Sequence, residues 1–132
     1  MTTTYFLNCI MGNVFQTETD PALPTAVYLG LSTTEPSIDG TGVSEPSSNV
    51  GYERVQLTTL SEPSDGVVTN SSDISFVESI GDWGTVAYFV IYDAETDGNL
   101  LMYEALSTSR SVEEGTIVTV KSGGLNLVLS NS

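Results

Sequence analysis

The chain has 132 residues, 39% apolar and 15% charged, which is enough for one compact core and too short for two. Seventeen Asp and Glu against three cations, Arg54, Arg110 and Lys121, give a formal charge of −14 and leave no basic stripe for nucleic acid or an anionic membrane. Histidine is missing and Cys9 is the single cysteine, so Ser-His-Asp and Cys-His chemistry and an intrachain disulfide are excluded, and the usual zinc site loses its residue.

Near the N-terminus, Phe6, Leu7, Ile10, Met11, Val14 and Phe15 recur at spacings of three and four, the period of an amphipathic helix, with Thr3 or Thr4 available as its cap. Gly12, Asn8 and Asn13 lower the intrinsic propensity, so such a helix needs tertiary contacts to persist. No Lys or Arg precedes this apolar stretch and no small-residue cleavage pattern follows it, so it is expected to be mature protein. Cys9 is expected to be a small buried hydrophobe.

After Pro21 and Pro24 the period changes. From Ala26 onward short β-branched and aromatic runs alternate with Gly, Pro, Asn, Asp and Ser clusters, which predicts strands at 26–32, 52–59, 66–76 with a break, 85–92, 100–106, 116–121 and 125–130. Thr85 to Tyr92 is apolar on both alternating faces and is the expected central strand. In 125–130, Leu125, Leu127 and Leu129 share one face, as in a sheet with one wet side. The expectation is an all-β fold: one domain over 1–132, an antiparallel two-sheet sandwich of jelly-roll type, with 1–20 an N-terminal helical arm.

Glu-Pro-Ser recurs at 35–37, 45–47 and 62–64, but at unequal intervals, which rules out a solenoid and reads as stiffened surface connections. Two of the triplets lie in the long loop 33–51, which is expected to be a contact surface. Asp93, Glu95, Asp97, Gly98 and Glu104 match the spacing of a calcium loop. The flanking segments read as strands, however, and an extended 99–104 would carry Glu104 roughly 15–20 Å from the turn. The preferred reading is a hairpin closed at Asp97-Gly98-Asn99, with a weak ion site from Asp93, Glu95 and Asp97 as the alternative. Trp83 and six tyrosines raise sugar stacking, against the simpler reading that Trp83 closes the edge of the sandwich. Glu113 and Glu114 read as a solvated turn, Arg110 within Ser107 to Ser111 as a surface loop, and no carboxylate pair stands out as a hydrolase pair.

The order and spacing of Gly30 to Thr34, Val43 to Pro46, Gly51 to Arg54, Asp82-Trp83-Gly84 and Asp97 to Leu101 resemble a family of small tailed-bacteriophage virion proteins often labelled tail-fibre-like. The similarity spans residues 26–106, and the amphipathic N-terminal segment also fits. The resemblance implies a non-enzymatic β-sandwich component of a phage particle, located in the virion and assembled in the host cytoplasm. It brings no catalytic, cofactor or metal residues. The acids at Glu95 and Asp97 depart from it.

The chain lacks the heptads or β-helix repeat of a shaft, so the leading expectation is an accessory structural protein used as capsid decoration, or cement. A tail fibre or tail adaptor subunit is the alternative in the same class, and a glycan-binding host-recognition module the alternative in another. The expected partners are other virion proteins, capsid or tail, with copies of the chain in a homo-oligomer and no nucleic acid, membrane or cofactor. The interface candidates are Phe6, Leu7, Ile10 and Met11, together with the 33–51 loop.

Overall fold

The computed structural model describes residues 1–130. A helix, α1 (Thr4–Phe15), is followed by β1 (Tyr28–Ser32), a short 3-10 turn (Ser48–Val50), β2 (Val55–Gln56), β3 (Val67–Thr69) and β4 (Ile74–Ser75). The chain continues through β5 (Gly84–Tyr92), β6 (Leu100–Val112), β7 (Thr119–Val120) and β8 (Asn126–Val128). All ladders are antiparallel. One sheet has the order β2-β1-β5-β6, while β3 pairs with β8 and β4 with β7 as separate ribbons.

The fold is therefore all-β and sandwich-like with one short N-terminal helix, as the residue patterns predict. Its second layer is divided: where one continuous sheet was expected, two ribbons cover the main sheet. The strands predicted at 52–59 and 116–121 shrink to Val55–Gln56 and Thr119–Val120. Their flanks are fixed instead by single backbone bonds, such as Leu57 N–H to Val27 O and Phe76 N–H to Val118 O, both 2.9 Å. Leu125 is fully buried and Leu127 half-buried, but Leu129 lies past β8 and is 53% exposed.

β5 is the central strand and is covered on both faces. Phe89 and Ile91 join Leu29, Leu31, Ile74, Phe76 and Leu125 in the main core, whereas Val90 and Tyr92 join Leu100 and Tyr103 in a second cluster with Met1 and Val43 against it. Each fully buried aliphatic side chain of this kind contributes about 1.5–3 kcal/mol, so these two clusters hold the sheet together. β6 runs well beyond the predicted 100–106. Arg110, Ser111 and Val112 pair with Val86, Thr85 and Gly84, and a register shift opposite Val86 and Tyr88 takes up the extra residues as a bulge.

Thr3 caps α1. Its Oγ1 accepts from Phe6 N–H at 3.3 Å and donates to Leu100 O at 2.7 Å, so the cap also ties the helix to β6. Tyr5 and Phe6 pack on the main core, and Cys9 is buried, its Sγ 3.5 Å from the Pro21 and Ala22 carbonyls. Gly12 is explained by close approach: a Cβ there would overlap the carbonyl of Glu18, where the chain doubles back under the helix.

Candidate functional site

Arg54 stands just before β2, and Tyr92 ends β5; both strands flank β1, with Gln56 and Tyr92 each opposite Tyr28. Strand alternation puts Arg54 on the same side of the sheet as Tyr92, and the guanidinium carbon sits 3.6 Å from the Tyr92 ring centroid. Arg54 Nε and Nη2 donate to the two Glu45 carboxylate oxygens at 3.0 and 2.7 Å, and Nη1 donates to the carbonyls of Ala94 and Asp97 at 2.8 Å each. This fork joins the 33–51 loop to the β5–β6 turn. The Arg54 side chain is 7% exposed.

Tyr52 completes the network. Its hydroxyl donates to Glu45 and accepts from Leu31 N–H at 2.9 Å, while burial and then the neighbouring Glu45 charge push its phenol far above the ordinary range. The backbone of Gly30 passes directly beneath, and a Cβ there would fall 2.5 Å from the Tyr52 hydroxyl and 2.9 Å from Glu45. Glycine is needed for that approach.

Glu45, Tyr52, Arg54 and Tyr92 line a groove of about 930 Å³ between the 45–54 segment, 77–80 and the 95–98 turn. Glu53, Glu78, Glu95 and Asp97 line it and are exposed, and so are Val77 and Ile80. Arg110 and Lys121 line a different groove, of about 810 Å³, beside β6 and β7. A small cavity of about 190 Å³ lies between Met1, Phe89, Leu125 and Leu127. Glu104 Oε2 is buried beside it and has no hydrogen-bond partner. Burial raises the Glu104 pKa, opposed by Asn126 N–H and the N-terminal ammonium.

The predicted hairpin tip forms as expected, with Asp97 at φ +53° and Gly98 at φ +75°. Asp93 is used to close that hairpin: Oδ1 accepts from Asn99 N–H at 2.7 Å and Oδ2 from Asn99 Nδ2 at 3.1 Å. Glu95 and Asp97 face the large groove, and among the described residues no three His, Cys, Asp or Glu side chains gather as a metal ion requires. Trp83 is 4% exposed, donates from Nε1 to Val50 O at 2.8 Å and meets Tyr52 edge-on at 5.3 Å. It is a core residue with no open face for a sugar.

Of the interface candidates, Phe6 packs on the core, Leu7 and Ile10 are half-buried, and Met11 is 55% exposed. Val14 and Phe15 extend the exposed side, three and four residues beyond Met11 on the same helical stripe. The Arg54 network escapes sequence reasoning because its partners lie 9 and 40 residues away. One signal was available: Arg54 is one of only three cations in a chain with seventeen acids.

Residues 1–128 match the family model described as Podophage GP4 fiber I protein gp80. No curated protein matches the chain.

Proposed function

The chain belongs to the Podophage GP4 fiber I protein gp80 family, and on that premise we propose that it is a structural subunit of the fibre of a podophage particle, without catalytic activity. The fibre description supports the tail-fibre alternative and lends nothing to capsid decoration. A compact sandwich with no shaft repeat fits a subunit that joins neighbours through its surface.

The observation that carries the joining role is the stripe Met11, Val14 and Phe15, exposed by 55%, 60% and 64%. It lies on a helix without a single charged residue, in a chain of net charge −14. The net charge makes two copies repel on the whole, whereas this stripe offers them neutral, apolar surface. The stripe is assigned to contact with neighbouring fibre subunits, copies of this chain included.

The test is particle composition. Phage carrying Met11→Ser, Val14→Ser and Phe15→Ser together keep the packed face of α1 and should yield purified particles depleted of the chain. Normal occupancy would refute the helix as the contact.

A further inference from the structure

Four exposed carboxylates, Glu53, Glu78, Glu95 and Asp97, line the groove beside Arg54 and have no ion-pair partner among the described residues. Arg54 cannot serve them, because Glu45 and two turn carbonyls already occupy its guanidinium. The other two cations line a different groove. The four acids do not converge as a metal site does, so a ligand that complements them carries its positive charges spread along its length.

The second observation is apolar. Val77 and Ile80 line the same groove and are 47% and 66% exposed, so apolar surface and negative charge share one concavity. Aromatic stacking is not on offer, since Tyr52 is buried and Arg54 covers Tyr92. We propose that this groove receives an extended segment of a neighbouring, different polypeptide that alternates Lys or Arg with apolar side chains. Strand alternation turns the cations of such a segment toward the acidic rim and its apolar side chains toward Val77 and Ile80. Arg54 ties two walls of the groove together, so the groove is formed before the partner arrives.

The test uses the isolated full chain, so its outcome does not depend on where the chain sits in a particle. A capped hexapeptide of alternating lysine and valine is titrated while backbone amide signals are followed by NMR. Saturable shifts confined to 45–54, 77–80 and 92–98 are expected, with a lysine–serine hexapeptide of equal charge binding about tenfold more weakly. Val77→Ser with Ile80→Ser should bring the two peptides to equal affinity, and Glu53→Gln with Glu78→Gln should weaken both. The proposal is overturned if shifts spread over the whole acidic surface, if wild-type chain binds the peptides equally or not at all, or if the groove signals move with self-association of the chain.

Discussion

Arg54 and Glu45 form a bidentate pair, with Nε and Nη2 at 3.0 and 2.7 Å from the two carboxylate oxygens, in which the arginine is 7% and the glutamate 20% exposed. Such a pair adds little net stability over an apolar substitute, yet breaking it from one side is costly because the other charge stays behind. Arg54→Ala is therefore expected to destabilise the fold by about 3 kcal/mol, and Arg54→Lys by less, since it keeps the charge and loses the fork. Denaturant unfolding of the three proteins checks the order.

Trp83 is the single tryptophan and reports on the core. Its emission is expected to be blue-shifted and shielded from acrylamide in the folded protein, moving red on unfolding. Trp83→Phe should cost about 1–3 kcal/mol through a lost hydrogen bond and a cavity. An exposed, readily quenched tryptophan would contradict the burial and reopen sugar stacking.

The two sides of α1 should behave differently. Phe6→Ala removes a side chain packed on the core and is expected to cost about 3 kcal/mol, whereas Phe15→Ser changes stability by less than about 0.5 kcal/mol. Thermal melts of both variants, beside sedimentation of the wild type and Phe15→Ser, separate folding from association.

Glu104 sets a pH dependence. Burial raises its pKa in the folded state, so the folded chain holds that proton more tightly than the unfolded chain. The penalty is fully present above the folded pKa and disappears as the pH falls below the unfolded one. Glu104→Gln should accordingly stabilise the protein at pH 7 by about 0.5 kcal/mol, small because solvent screens a partly exposed carboxyl. The gain over wild type should shrink on acidification, as read by denaturant midpoints across pH. A gain that grows toward acid pH would contradict the assignment.

Local patterns made the helix, its Thr3 cap, the central strand at 85–92 and the hairpin tip at Asp97-Gly98 readable, because each depends on the period or backbone freedom of adjacent residues. The far half of β6 was not readable: Ser107 to Ser111 is polar, and it is held in the sheet by pairing with Thr85 and Val86 across a bulge. The split of the second layer depends on which distant segments hydrogen-bond, which periodicity does not encode. The same holds for the site. The spacing of Glu95 and Asp97 offers a weak ion site only as the alternative to a hairpin, and it does not reveal that both line a groove whose other walls, Glu53 and Val77 to Ile80, lie far off in sequence.

Cryo-electron microscopy of purified particles at a resolution that traces the chain is the most direct measurement. Density for this sandwich within a fibre, with Met11, Val14 and Phe15 against a neighbouring subunit, is the expected result. Density for it only on the capsid shell, or particles that lack the chain while infected cells contain it free, would contradict a fibre role.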